Sequence, residues 1–384
     1  MNASRFNVIL IGAGEINFGS VEGPWNHSLR LEKKLGDRLR IVAIVDPDVL
    51  RAELALKTKQ TSAASDNYRD TGIFDSLTQA RAALTDDQLP NLIILGVPPF
   101  ARGTDVPGQD LELQAVKLFP GCPLFVEKPV CSVEPAACHR VAAALEAAGT
   151  LVGVGYMLRY LKAVQMMKTI IDENGLTVMG TNARYVMAYE WARKLAWWDK
   201  TRSGGPIVEQ ATHFCDLSRY FGGEVVLPSV YARTVEHSEP PGHLSVKQFD
   251  EDAIPTANRV PRMTSATWKY QGGAVGSLTH VIALHGNTYS TEFEVYADGY
   301  QMKLVNPYGI SPMLSVRRPG VEAEEIHTFQ NDDPFYSEIS AFIDAAEDRA
   351  AAHGILSSYR DALATYELTW RIREASEASL AARV

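Results

Sequence analysis

Residues 6–14 read "FNVILIGAG". A strand with one wet face alternates polar and apolar residues. This stretch is apolar almost throughout, so it predicts a strand covered on both faces, as in a parallel sheet. Gly12 and Gly14 follow at the first two positions of a G-x-G-x-x-G turn, where they permit a tight bend and let a backbone approach a pyrophosphate. The third position holds Asn17, and Gly19 comes two residues later. Pro24 interrupts any early helix, so the loop reads as extended. By itself the motif fits a glycine turn that binds nothing equally well; what surrounds it decides.

Working outward, "RIVAIVDPD" repeats the apolar run and ends in Asp46, "LPNLIILGVPP" and "CPLFVEKP" repeat it again, and "TLVGVGYM" is a fifth. Between them lie the helical patterns "HSLRLEKKL", "VLRAELALKTKQ", "LELQAVKLF" and "EPAACHRVAAALEAAG". Strand alternating with helix predicts βαβ units with right-handed crossovers. Residues 1–156 are therefore expected to form a dinucleotide-binding Rossmann domain. An acid ending the second strand suits both ribose hydroxyls of NAD and repels the 2'-phosphate of NADP. Asp46 thus points to NAD, with NADP as the other candidate. The plain alternative for Asp46 is a helix N-terminal acid in "DPDV".

Beyond residue 156 the rhythm changes. One helical pattern, "LKAVQMMKTIIDENG", leads into strand-like pieces from "TVMGTNARYVMAYE" to "YQMKLVN", several of which alternate. Alternation suits an antiparallel sheet with one face packed and one free. Residues 157–384 are expected to form an α+β substrate-binding and oligomerisation domain with a large open, mostly antiparallel sheet. "EHSEPPGHLSVKQFDEDAIPTANRVP" reads as a long surface loop, and two helical patterns close the chain.

Composition fits this picture. The 384 residues are 46% hydrophobic and 22% charged, enough for two domains with sizeable cores. A net charge of -9 argues against a nucleic-acid partner. No apolar run approaches a membrane span, and "MNASRF" lacks the layout of a signal peptide. A cytoplasmic protein is expected. Cys122, Cys131, Cys138 and Cys215 form no C-x-x-C pair, so zinc-site spacing is absent and no metal site is expected.

Two further stretches carry chemistry. "FVEKP" ends the fourth strand and would aim Lys128 into the crevice at the carboxyl ends of the strands. An exposed lysine in a turn is the bland alternative. The second stretch is "PIVEQATHFCDLSRY", residues 206–220, after a Ser203-Gly204-Gly205 loop. On one continuous helix Glu209, Thr212, His213 and Asp216 would share a stripe at i, i+3, i+4 and i+7. Removing a hydroxyl proton is a task for a group with pKa near neutrality, which imidazole supplies. An ammonium stabilises a developing alkoxide. A carboxylate one turn away orients the imidazole and favours its protonated form. The alternative is a core histidine satisfied by Asp216.

The glycine turn, the "EKP" after a later strand, and "GG" followed by "EQATHFCD" together resemble the Gfo/Idh/MocA oxidoreductase family over essentially the whole chain. The resemblance implies NAD(P)-dependent redox chemistry at a secondary alcohol or ketone of a sugar, cyclitol or related polyhydroxylated compound, by a homodimer or homotetramer built through the C-terminal sheet. It implies Lys128 and His213 as catalytic residues, and Glu209 at a position where the family usually has Asp. The cofactor set would be Gly12, Gly14, Glu15, Ile16, Asn17, Asp46, Pro98, Glu127 and Lys128. Arg159, Trp197, Trp198, Thr212 and His213 are the substrate candidates. Indole faces stack on the C–H faces of sugars, though a tryptophan pair is also ordinary core, and Arg159 could equally form a surface or interdomain ion pair. His280 and His285 read as packing or interface residues, and Arg193 and Lys194 as a solvated loop. Two rival functions are an NAD-dependent glycosidase using transient oxidation and a non-catalytic dinucleotide sensor.

Overall fold

The computed structural model describes residues 4–381, so the first three residues of "MNASRF" lie outside it. The chain forms two compact units. The first comprises Met1–Cys131, Ala136–Met157 and Phe335–Asp361; the second comprises Ser132–Pro135, Leu158–Pro334 and Ala362–Val384.

The first unit is built on a parallel sheet of order β3-β2-β1-β4-β5-β6. Its strands are β1 (Phe6–Ile11), β2 (Leu39–Val45), β3 (Gly72–Phe74), β4 (Leu92–Leu95), β5 (Leu124–Val126) and β6 (Val152–Val154). Every residue of β1 is buried, as its nearly unbroken apolar run demands. The strand order turns at β1, which pairs with β2 on one side and β4 on the other. That reversal opens a crevice at the carboxyl ends of the strands, beside the Gly12 turn. Helices His27–Leu35, Val49–Gln60, Leu111–Leu118 and Pro135–Ala147 occupy the four stretches expected to be helical.

A late stretch of chain completes this core. Ile339, Phe342 and Ile343 of helix Pro334–Glu347 are buried in one cluster with Phe6, Val8, Leu10 and Phe125. Gly153 on β6 makes room for them: a Cβ there would lie 2.7 Å from the Phe342 ring. Burying one such phenylalanine is worth about 1.5–3 kcal/mol.

The second unit carries an eight-stranded sheet of order β14-β13-β12-β11-β7-β10-β9-β8. The strands are β7 (Val178–Ala188), β8 (Tyr231–Val235), β9 (Met263–Lys269), β10 (Val275–Leu284), β11 (Ser290–Ala297), β12 (Tyr300–Val305), β13 (Met313–Arg317) and β14 (Glu325–Thr328). Neighbours are antiparallel except for β7 and β10, which run parallel. Burial alternates strictly along β11, so one face of the strand is core and the other is half-covered. Helix Thr212–Gly222 packs on the core face. Phe214 meets Tyr185 of β7 edge-on at 5.7 Å, and Phe221 lies 5.7 Å from Phe293 of β11. The loop 236–261 contains only the short turns Pro240–Gly242, Glu251–Ala253 and Thr256–Asn258.

The fold class is therefore a Rossmann unit plus an α+β unit with a large, mostly antiparallel sheet. Among the described residues no helix is long and apolar enough to cross a membrane, and no group of three or more His, Cys, Asp or Glu could hold a metal ion.

Candidate active site

The turn after β1 is shaped for close approach. Gly12 has φ +93°, and a Cβ there would lie 2.9 Å from Val97 Cγ1 and 3.0 Å from the Gly96 carbonyl oxygen, so only glycine fits. At Gly14 a Cβ would meet nothing within 4 Å, which leaves open space on that side of the turn. A pyrophosphate needs this combination of tight bend and free backbone approach. Glu15 and Ile16 begin a one-turn helix, Glu15–Phe18, and are half-buried. Asn17 is fully buried and donates its side-chain amide to the carbonyls of Ile11 (3.1 Å) and Gly12 (2.7 Å). It locks the turn from within rather than facing outward, and it presses on Gly96, where a Cβ would lie 2.5 Å from Asn17 Nδ2. An asparagine at the third glycine position is thus a staple for the bend.

Asp46 ends β2 as expected, yet its carboxylate is already engaged. The N–H groups of Ala13 (2.6 Å) and Asp48 (2.9 Å) donate to it, and Arg51 Nη2 lies 2.7 and 2.9 Å from its two oxygens. Asp46 is 1% exposed, whereas the Arg51 side chain is 52% exposed. The group projecting at this strand end is therefore a guanidinium. Sequence reading overlooked Arg51 because it considered only the residues next to Asp46; a basic residue one helical turn into "DPDVLR" was the available signal.

The "EKP" segment is clamped. Glu127 Oε1 lies 2.7 Å from Nε2 of the buried His27, and Glu127 Oε2 accepts the Lys128 backbone N–H at 3.1 Å. Arg102, 1% exposed, donates to the carbonyls of Val97 (3.2 Å), Val130 (3.1 Å) and Glu127. One guanidinium thus ties the end of β4 to the segment that carries Lys128. The Lys128 side chain is half-buried, and Pro98 lies exposed at the end of β4. The Lys128–Pro129 peptide is cis. His27 and Arg102 were not singled out from sequence, because neither lies in a recognisable motif.

In the second unit, Gly204 (φ +80°) and Gly205 (φ +96°) turn the chain into helix Pro206–Glu209. The single helix expected over 206–220 is broken: a second helix starts at Thr212. The Ala211 N–H reaches back five residues to the Pro206 carbonyl at 3.0 Å, a π-type bond, before ordinary turns resume. The extra residue rotates Glu209 away from the i, i+4 relation to His213 that an unbroken helix would impose. Such bulges re-aim side chains and recur at functional sites.

Glu209 is held by Trp197, whose indole N–H donates to Oε2 at 2.9 Å. His213 is 7% exposed and Thr212 fully buried. Tyrosine rings cluster beside them. Tyr308 lies edge-on to His213 with ring centroids 6.0 Å apart, and Tyr185 contacts both Tyr289 (5.8 Å) and Tyr308 (6.1 Å). Burial first, then the charge of Glu209, holds the Tyr308 hydroxyl well above its ordinary pKa. Tyr185 is held up likewise by burial, then by Tyr308, Tyr289 and Glu209. Both stay protonated and able to donate. The Tyr308 hydroxyl is buried and has no hydrogen-bond partner among the described residues. Tyr185 also stacks on His280 at 5.2 Å, and His280 Nε2 lies 2.9 Å from Gln210 Oε1. Burial alone pushes the His280 imidazole down to about 3. These tyrosines were missed because each sits on a different strand or loop.

The remaining candidates have other engagements. Trp198 is 1% exposed, donates to the Ala192 carbonyl at 2.8 Å and stacks on Phe249 at 3.9 Å, so it is wall rather than surface. Arg159 is 4% exposed and bidentate to Asp216, at 2.8 and 2.7 Å, while Asp216 also accepts from Thr365 at 3.0 Å. Arg159 and Asp216 thus form a buried ion pair within the α+β unit, rather than the surface or interdomain pair considered from sequence.

Similarity to known proteins agrees with this architecture. Residues 6–156 match the oxidoreductase family with NAD-binding Rossmann fold, Gfo/Idh/MocA, and residues 159–300 match an oxidoreductase C-terminal domain. The Schizosaccharomyces pombe protein UNK4.17 is 44% identical over 372 residues, covering 96% of this chain and 91% of the relative. The structure of a dehydrogenase from Chromobacterium violaceum superposes with TM-score 0.72 at 16% identity, over 100% of this chain and 98% of that one. A levoglucosan dehydrogenase in complex with NADH and levoglucosan gives TM-score 0.72 at 17% identity, covering 98% of each chain. The whole-chain match to UNK4.17, the two domain matches and the shared fold lead to one conclusion: the chain belongs to the Gfo/Idh/MocA family of NAD(P)-dependent oxidoreductases.

Proposed function

We propose that this enzyme interconverts a secondary alcohol and ketone on a sugar, cyclitol or related polyhydroxylated compound, with His213 as the acid/base. The observation that carries the reading is the set of Glu209, His213, Tyr185, Tyr289 and Tyr308, gathered in one aromatic, hydroxyl-rich cluster of the α+β unit. Aromatic faces suit the C–H faces of a sugar, and convergent hydroxyls suit its oxygens. The levoglucosan complex of the structural neighbour is in keeping with such a substrate.

The nicotinamide, when bound, exchanges a hydride with the substrate carbon. The residues of this chain do the rest. His213 takes the hydroxyl proton in oxidation and returns it in reduction. The Lys128 ammonium stabilises negative charge developing on the substrate oxygen. Glu209, fixed by Trp197, sets the charge around the imidazole. Thr212 supports the pocket wall, and Trp197 presents its ring to the substrate. Gly12, Gly14, Glu15 and Ile16 border the dinucleotide, as do Pro98, Glu127 and Lys128 across the crevice. Residues 1–156 act as the dinucleotide-binding domain and residues 157–384 as the substrate-binding and oligomerisation domain. The enzyme works in the cytoplasm as a homodimer or homotetramer through the half-covered sheet face.

A panel of sugars and cyclitols with NAD and NADP, followed at the nicotinamide absorbance band, tests the reading. Net NADH or NADPH formation with at least one polyol is expected. His213→Ala should then cost ~10²–10⁴-fold in turnover. Lys128→Met should lower turnover severely while cofactor binding by fluorescence changes little. Glycoside cleavage without net nicotinamide change would overturn it in favour of the glycosidase, and dinucleotide binding without turnover in favour of the sensor.

A further inference from the structure

The loop 236–261, with Arg262 just before β9, borders an open cleft of about 300 Å³ in the α+β unit. Its charged and titratable lining is His237, His243, Lys247, Glu251, Arg259 and Arg262. Three permanent cations thus face one carboxylate. Glu251 is their scaffold: Lys247 Nζ donates to it at 2.8 Å, and Arg262, 4% exposed, donates from Nη2. Arg262 is fixed further by Nε on the Gly242 carbonyl (3.2 Å) and Nη1 on the Val260 carbonyl (3.2 Å). Arg259 is braced by its Nε on the Ile254 carbonyl at 3.0 Å, and its Nη2 reaches the strongly exposed Asp252 at 3.1 Å.

His237 supplies an independent sign of a ligand. Both of its ring nitrogens are shielded from solvent, and neither has a hydrogen-bond partner among the described residues. A ring nitrogen shielded from water without a partner is unfavourable, so this imidazole is poised for a partner inside the cavity. Burial first, then the charges of Arg262 and Arg259, hold its pKa below the ordinary value, against the pull of Glu251 and Glu236. A neutral imidazole offers one N–H donor and one acceptor.

We propose that this cavity is a binding site for a phosphate group, with Arg259, Lys247 and His237 as its contacts. Lys247, Arg259 and Arg262 outnumber the carboxylates that pair with them, Glu251 and Asp252, by one, and with the His237 ring they offer more N–H donors than a single carboxylate would use. The neutral His237 ring donates to one oxygen, and its other nitrogen can accept from a hydroxyl of the same molecule. About 300 Å³ exceeds what a lone ion needs and reaches the lower end of ordinary ligand pockets, so a phosphorylated sugar fits as well as free phosphate. The site is separate from the pocket of His213; Trp198 stands between the two sets of side chains, with its indole against Trp197 at 4.8 Å and its ring under Arg262 at 5.6 Å.

Calorimetry on the full-length protein decides it, with NADH saturating the dinucleotide site and ionic strength held with chloride. Sulfate, whose charge is constant near neutrality, is the first probe; phosphate and glucose 6-phosphate follow. Saturable one-to-one sulfate binding is expected, weakened at least tenfold by Arg259→Gln and by Lys247→Gln, with unfolding temperatures unchanged. Glucose 6-phosphate binding at least tenfold tighter than phosphate, and equally dependent on Arg259, assigns the site to a phosphorylated metabolite; equal affinities assign it to free phosphate. No saturable sulfate heat, or binding indifferent to both substitutions, overturns the proposal.

Discussion

The indole N–H of Trp197 donates to Oε2 of Glu209 at 2.9 Å, just ahead of the bulge that separates Glu209 from His213. A glutamate reaches one methylene further than an aspartate, and a longer side chain has more ways to miss its target. The indole removes that freedom. Trp197→Phe keeps the ring and deletes the donor. A hydrogen bond to a charged group is worth about 1.5–3 kcal/mol, so kcat/KM should fall roughly 10–100-fold with the unfolding temperature little changed. Trp197→His, which retains a ring N–H, should recover part of the loss. Steady-state kinetics on all three proteins checks this, and equal activity in Trp197→Phe would detach Trp197 from the site.

Asp46 and Arg51 set a second expectation. The carboxylate that should repel a 2'-phosphate is neutralised by a half-exposed guanidinium 2.7 Å away. Arg51→Gln removes that counter-charge and leaves Asp46 acting as a bare acid. Dissociation constants by nicotinamide fluorescence should show NADPH binding weakened about tenfold or more and NADH binding changed only a few-fold. Equal losses for both cofactors would mean that Arg51 only props the turn.

How far the fold was legible follows from these residues. Nearly unbroken apolar runs announced β1, β2 and β4 because burial on both faces leaves little room for another pattern. β3 is only the tripeptide Gly72–Phe74, and β14 is a largely exposed edge, so neither has a period to read. The return of Phe335–Asp361 to the first unit was hidden, because an amphipathic helix shows which face is buried but not against what. The motif residues Lys128, Glu209 and His213 stood out by local context. Their supports did not: Arg102, His27 and Tyr308 are brought in from 26 to 101 residues away, and long-range contacts leave no mark on a local stretch. The bulge at Ala211 was equally silent, since nothing in "EQAT" forbids a regular helix.

His280 should make the protein acid-sensitive. Folded, its imidazole stays neutral down to about pH 3; unfolded, it protonates near its ordinary value of about 6.5. The unfolded state therefore binds the extra proton between these limits. Its contribution is constant above about pH 6.5, and stability falls steadily as pH drops from there toward 3. Between pH 7.5 and pH 5 this amounts to about 2 kcal/mol. Urea unfolding of wild type and His280→Gln at both pH values should show a smaller pH-dependent loss in the variant by that amount. Parallel losses would place the acid sensitivity elsewhere.

Tyr308 offers the sharpest separation of structure from function. Its hydroxyl is buried beside Glu209 and His213 yet has no hydrogen-bond partner among the described residues. A buried, unsatisfied hydroxyl costs the free protein about 1–3 kcal/mol, and its removal leaves a phenylalanine of nearly the same shape. Tyr308→Phe should therefore be as stable as wild type or more stable. If the hydroxyl exists to donate to a substrate oxygen, the same change leaves that oxygen without its donor, so kcat/KM should drop at least tenfold. A hydroxyl serving only the core would leave kcat/KM unchanged. Thermal unfolding without substrate, set beside kinetics with the best substrate of the polyol panel, distinguishes the two. A Tyr308→Phe enzyme that is fully active would detach this tyrosine from the substrate.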